Sequence, residues 1–191
     1  MCGKYHVSME DENVEFRSII QQALIASPGA FQTGDIVPSL PVPVLTASGA
    51  TAMRFGLRLS GIKRLLINAR SETAAQSPLF SGMIASSRCI VPAQYFFEWT
   101  TDKQPHVFRD SSGAPLFMAG LFMAQEQENR FVILTRNADS TVAAVHPRMP
   151  VLLGSREYRD AWLRSSQLAI NLLSLPPEIT LEGMRYTEKT K

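Results

Sequence analysis

Six short apolar runs crowd the second half of this chain: "RCIV" from Arg88, "YFFEWT" from Tyr95, "HVFRD" from His106, "PLFMAGLFMA" from Pro115, "RFVILT" from Arg130 and "MPVLL" from Met149. They are rich in β-branched and aromatic residues, and turn-forming residues separate most of them, so they read as strands. A chain with this pattern has to build sheets. "SSG" at Ser111 to Gly113 reads as a hairpin turn into "PLFMAGLFMA".

The remainder supplies helices and punctuation. Phe16, Ile19, Ile20, Ala23 and Leu24 recur at helical spacing, predicting a helix over Glu10 to Ala26 that "SPG" ends. "VPSLPVPVL" reads as an extended segment leading to a short strand, which its prolines confine to a sheet edge. "KRLLIN" reads as a buried strand ending at Asn68, and Tyr158, Ala161 and Trp162 mark a C-terminal helix over about 155–164. A last short strand falls at Met184 to Thr187. With no repeat, linker or low-complexity tract, one domain over residues 1–191 is expected. The fold class predicted is α+β: a mostly antiparallel sheet or barrel core with a few flanking helices.

No apolar run approaches the ~20 residues a bilayer requires, so the chain is expected to be soluble, with no membrane partner. Two cysteines and no secretory pattern point to a reducing cytoplasm. The net charge is only +2, yet no Asp or Glu lies between Ile36 and Ser71, while Arg54, Arg58, Lys63, Arg64 and Arg70 do. That stretch is either a positive surface for a polyanion or a solvated face whose carboxylate partners come from elsewhere.

Cys2 is the residue with unusual chemistry. Once Met1 is removed it carries an α-amine, which titrates near ~8, beside a thiol near ~8.5. An aldehyde meeting this pair forms a Schiff base with the nitrogen, and the sulfur then closes a five-membered thiazolidine on the same carbon. The plainer reading is a small buried cysteine with no reaction to perform. Glu98, among the aromatics of "YFFEW", is placed for desolvation to disfavour its charge, which suits an acid/base. His146 opens the proline-constrained "HPRMP" loop, and an imidazole is the side chain suited to proton exchange there. Asn68 either positions a reacting group through its amide or caps its own strand. His6 and His106 lack such context and read as structural or surface residues. Phe96, Phe97 and Trp99 offer stacking surface for unpaired bases, although alternation turns at least one to the core. A zinc site from Cys2, His6, Cys89 and another histidine has no recognisable spacing, so neither metal nor cofactor is expected.

"CGK" at Cys2 to Lys4, "INARSETA" at Ile67 to Ala74, "CIVPAQYFFEW" at Cys89 to Trp99 and "VHPRMPVLL" at Val145 to Leu153 together resemble the ordered motifs of the SRAP (SOS response-associated peptidase) family. The resemblance implies a DNA-repair protein that binds single-stranded DNA and links its terminal cysteine covalently to the aldehyde of an abasic site. By motif, it implies that Asn68, Glu98 and His146 act with Cys2, while Arg70 and Arg148 lie near the DNA backbone. Lys4, Arg54 and Arg64 join them as DNA-binding candidates. A lyase side activity, self-removal of Met1, a monomeric state and association with the nucleoid when DNA is bound are further expectations. The sequence departs from the family pattern at Lys4 (usually Arg), in "TGDIVPS", at Phe55 (usually Trp) and at Tyr95 (usually Gly), all in regions that bear on DNA geometry. An N-terminal-cysteine amidohydrolase or peptidase also begins "MCG" but needs an "RGPD"-like stretch that is missing here. A non-catalytic single-strand binding module is the third alternative.

Overall fold

The two longest strand-forming runs, Leu116–Gln125 and Glu128–Asn137, pair antiparallel as a hairpin around which the rest is built. Residues 2–187 are described by a computed structural model. In chain order the elements are β1 (Lys4–Val7), α1 (Val14–Ala26), β2 (Gly34–Ile36), β3 (Pro41–Thr46), β4 (Gly49–Phe55), β5 (Leu57–Leu59), β6 (Ile62–Leu66) and β7 (Asn68–Arg70). Then come α2 (Ser71–Ala74), α3 (Ser81–Ser86), β8 (Arg88–Ala93), β9 (Tyr95–Trp99), β10 (Pro105–Asp110), β11 (Leu116–Gln125) and β12 (Glu128–Asn137). The chain continues through α4 (Ser140–Ala143), β13 (Arg148–Pro150), α5 (Arg156–Arg164), α6 (Ser166–Leu172) and β14 (Leu181–Arg185).

Strands β11, β8, β3, β4 and β12 follow one another in a sheet, and β11 also pairs with β12, so the five close into a barrel. Closure removes the free edges along which sheets aggregate. Strand β12 runs beyond the ring to take β7 in parallel and β13 antiparallel. A second sheet has the order β14-β10-β9-β1-β2. Tyr5 of that sheet meets Phe55 of the barrel edge-on at 5.7 Å, and Phe55 stacks on Phe131 at 5.2 Å. These rings belong to one contiguous buried core. The α+β expectation therefore holds, with β12–β4 and β12–β7 as parallel pairings in a mostly antiparallel structure.

Several local expectations are corrected. The first helix begins at Val14, not Glu10, because the Asn13 side chain accepts the Phe16 N–H at 3.0 Å and caps it there. Leu24 falls at its rim, 36% exposed. The proline strand is interior, not an edge: β3 pairs fully with β4, but its pairing with β8 begins only at Leu45, past both of its prolines. The missing N–H groups thus fall where the second neighbour has already diverged. "KRLLIN" is not one buried strand. Lys63 and Arg64 lie exposed in the two-stranded β5–β6 ribbon, and Asn68 starts a separate strand. Gly113 does turn with φ of 81°, but β10 and β11 lie in different sheets, so "SSG" joins two sheets and makes no hairpin. The last strand is Leu181–Arg185, held by β10, and sits earlier than Met184 to Thr187. The C-terminal helix matches its expected span, with Ser155 as its cap, and Trp162 donates to the Cys89 carbonyl at 2.9 Å.

One glycine is required by the barrel. A Cβ on Gly120 would lie 2.8 Å from Cys89 Sγ and 3.2 Å from the Val132 carbonyl, between strands that cannot separate. Gly120→Ala is expected to cost about 1–3 kcal/mol through overpacking, read as a lowered chemical-denaturation midpoint.

Candidate active site

Strand β1 is held on both sides, Tyr5 opposite Phe96 of β9 and Ile36 of β2, which delivers Cys2 to the interior just before the strand begins. Cys2 is fully buried. Asn68 reaches it from the barrel, since β7 rides parallel on β12 with Asn68 beside Ile133. Its Nδ2 donates to the Cys2 carbonyl at 3.2 Å and to the Ile133 carbonyl at 3.3 Å. Oδ1 is buried and has no hydrogen-bond partner among the described residues. Asn68 therefore anchors Cys2 and holds a further acceptor in reserve.

The period of two along β9 splits its residues between faces. Phe96 turns inward and stacks on Phe108 at 5.4 Å, and Glu98 shares that face, 1% exposed. Burial raises the Glu98 pKa, and neighbouring positive charge, of which His146 is the smaller part, only partly offsets it. His146 Nδ1 stands 3.7 Å from Glu98 Oε2. His146 is set by α4, which Asp139 caps by accepting the Val142 N–H at 2.9 Å, and its own N–H donates to the Val142 carbonyl at 2.9 Å. The same Nδ1 lies 3.0 Å from the Arg148 carbonyl and 3.1 Å from the Arg148 N–H. Protonated, it donates to the carbonyl; unprotonated, it accepts from the N–H, so either state has a partner. Such a position suits a group that exchanges protons. Burial, followed by the charge of Glu98, pushes the Cys2 thiol up, which keeps it neutral. His106, read as structural or surface, lies directly opposite Glu98 across β9 and β10, with Nδ1 3.3 Å from the Gln104 carbonyl.

The DNA-binding candidates are placed unevenly. Arg70 is exposed at the end of β7, and its side chain has no hydrogen bond or ion pair among the described residues. Arg148 is engaged instead: it grips Glu72 through two bonds of 2.7 and 2.8 Å, and reaches Asn137 Oδ1 and the Thr135 carbonyl at 2.6 Å each. The Arg148 hydrogen bonds pull the Glu72 pKa down to about 2, so the pair stays charged at any ordinary pH. Lys4 bonds Asp35 at 2.8 Å and lies 4.2 Å over the Phe97 ring. Arg64 and Asn68 line one cavity of about 360 Å³, walled by Leu65 and Ile67. Arg54 binds Glu128 at 2.7 Å, five residues before Ile133 on β12 and hence roughly 17 Å along the strand from Asn68.

Sequence reasoning missed Asp35, which ties Lys4 and His6 together, and Tyr186, whose ring meets Phe97 at 5.1 Å. The weak strand pattern near Met184 was the only signal for Tyr186. Among the described residues no group of three or more His, Cys, Asp or Glu side chains could hold a metal ion, and no helix is long and apolar enough to cross a membrane.

The chain is similar to the abasic site processing protein YedK of Escherichia coli, 36% identical over 106 residues, covering 52% of this chain and 47% of that protein. It is 29% identical over 185 residues to the abasic site processing protein YobE of Bacillus subtilis, covering 85% of this chain and 82% of the other. An X-ray structure of a Bordetella bronchiseptica protein superposes with a TM-score of 0.74 at 25% identity, covering 97% of this chain and all of that one. A phage-related protein from the same organism gives 0.75 at 22% identity, covering 98% and 95%, and so shares the fold. The sequence matches the description "SOS response associated peptidase (SRAP)" over residues 1–187, and the chain belongs to the SRAP family.

Proposed function

We propose that this protein binds single-stranded DNA and couples the α-amine and thiol of Cys2 to the aldehyde of an abasic site, shielding the lesion. The observation that carries the reading is the convergence on residue 2 of groups from three distant parts of the chain. Asn68 bonds the Cys2 carbonyl at 3.2 Å, Glu98 is buried within the field of the Cys2 thiol, and His146 stands 3.7 Å from Glu98.

Each step balances with these groups. Protonated Glu98, favoured by its raised pKa, donates to the sugar ring oxygen while the C1′ hydroxyl loses a proton to His146, opening the ring to the aldehyde. The α-amine of Cys2, free once Met1 is removed, adds to the carbonyl carbon and expels water to form an imine. The neutral thiol then adds across the C=N bond, sulfur to carbon and its proton to nitrogen, closing the thiazolidine. The net change is aldehyde plus cysteine giving ring plus water. The imine is also the species from which β-elimination departs, so the speed of sulfur attack divides stable link from strand cleavage. Names of relatives and the family label point the same way.

The test is a denaturing gel of Met1-processed protein mixed with an oligonucleotide bearing one abasic site. A shifted band is expected, and prior reduction of the aldehyde to the alcohol removes it. A band that survives that reduction counts against the reading.

A further inference from the structure

The face of the second sheet opposite Glu98 carries a second feature. Phe97 and Trp99 alternate onto it, their rings 6.1 Å apart and 23° from parallel. Strand β14 pairs with β10 up to Arg185, and the Tyr186 N–H donates to the Pro105 carbonyl at 2.9 Å, which seats Tyr186 against that floor. Its ring stands 81° from the plane of Phe97 at 5.1 Å. Lys4 closes the far side, 4.2 Å from the Phe97 centroid and 5.8 Å from that of Tyr186. Lys4, Phe97, Trp99, Pro105 and Tyr186 line a cavity of about 370 Å³, within the size range of small-ligand sites.

From these walls we infer that the cavity is a slot for one nucleobase of the DNA strand, the base next to the abasic sugar, with Tyr186 as its side wall. Phe97 is fully buried and serves as floor. Trp99 and Tyr186 are half-buried and offer ring faces to a planar partner. The Lys4 ammonium, positioned by Asp35 at 2.8 Å, meets a base carbonyl oxygen at the edge. An aromatic box with one donor cation and no carboxylate in its lining fits a flat, carbonyl-bearing heterocycle. Lys4 is two residues from Cys2, while Phe97 and Trp99 flank Glu98. At ~3.3 Å per residue of extended chain, Lys4 at the rim of the slot stands about 7 Å from Cys2. The base that fills it fixes the register of the strand, so the missing base falls at Cys2. This rests on the abasic-DNA reading above and adds a subsite to it.

The probe is an oligonucleotide with a stable tetrahydrofuran spacer in place of the lesion, which has no aldehyde, compared with one whose flanking nucleotides are spacers too. Affinity is measured by fluorescence anisotropy at fixed salt. Tyr186→Ala and Trp99→Ala are expected to weaken binding to the first roughly tenfold and to the second less than about twofold. Tyr186→Phe keeps the wild-type pattern, because the ring is what stacks. Equal losses on both oligonucleotides, no loss on either, or a Phe variant behaving like Ala would overturn the slot. Since neither probe reacts, a failure of Cys2 coupling leaves this comparison standing, and a failure here leaves the coupling chemistry untouched.

Discussion

Met1-processed Cys2→Ala protein is expected to yield no denaturation-resistant band with abasic single-stranded DNA, a fall to below detection. The alanine variant keeps its α-amine and can still form an imine, but imines hydrolyse on denaturation. Adding borohydride reduces the imine to a stable amine, so a band should return only with the reductant. Acetylating the α-amine of the wild-type chain should abolish both outcomes, since sulfur alone has no route to the ring. Cys89 cannot substitute, because as an internal residue it has no α-amine on the carbon beside its thiol. A full band from Cys2→Ala without reductant, or from the acetylated wild type, would defeat the two-nucleophile mechanism.

The second large effect is expected from Glu98→Gln. Glutamine keeps the shape and can donate a hydrogen bond but cannot deliver a proton, so coupling should slow by about 10²–10⁴, measured in single-turnover time courses at saturating DNA. In the wild type the acting species is the acid, and burial holds its pKa above the ordinary 4.5. The ring-opening rate should therefore persist above the usual glutamate range and fall as pH rises through the raised value. Stability moves the same way with pH. A carboxyl whose folded pKa is raised favours the native state below its unfolded pKa, and that advantage is lost as pH rises through the folded value. Glutamine escapes the loss, so thermal melting should place Glu98→Gln above wild type at neutral pH, with the gap closing below about pH 4.5. A less stable glutamine variant at neutral pH would show that Glu98 is held as a paired anion.

Strands were legible where the composition of a run decided them. "RFVILT" is rich in β-branched residues and "PLFMAGLFMA" is apolar with two aromatics, and both became long barrel strands. What a run cannot carry is its neighbour. Pro41 and Pro43 looked like edge residues because the sequence does not show that β8 peels away before reaching them. Likewise "SSG" gave a true turn but not the fact that its two strands part into separate sheets. For the site, Cys2, Asn68, Glu98 and His146 were chosen by chemistry and motif, and the fold gathers them. The arginines were harder, because charge is visible in sequence while its partner is not. Arg148 turned out to hold Glu72, Asn137 and Thr135, whereas Arg70, two positions along from Asn68, stands exposed. The place of Tyr186 was hidden because the last strand, read at Met184 to Thr187, in fact runs over Leu181–Arg185 and seats Tyr186 just past its end.

Strand β12 binds β11, β4, β7 and β13, so Asn68 and the segment after His146 hang from one spine of the closed barrel. On the proposed coupling, a lesion joined to Cys2 would sit beside Asn68, a residue that the closed ring of strands keeps in place. Loosening that hold by unfolding would then mean parting β12 from four partner strands.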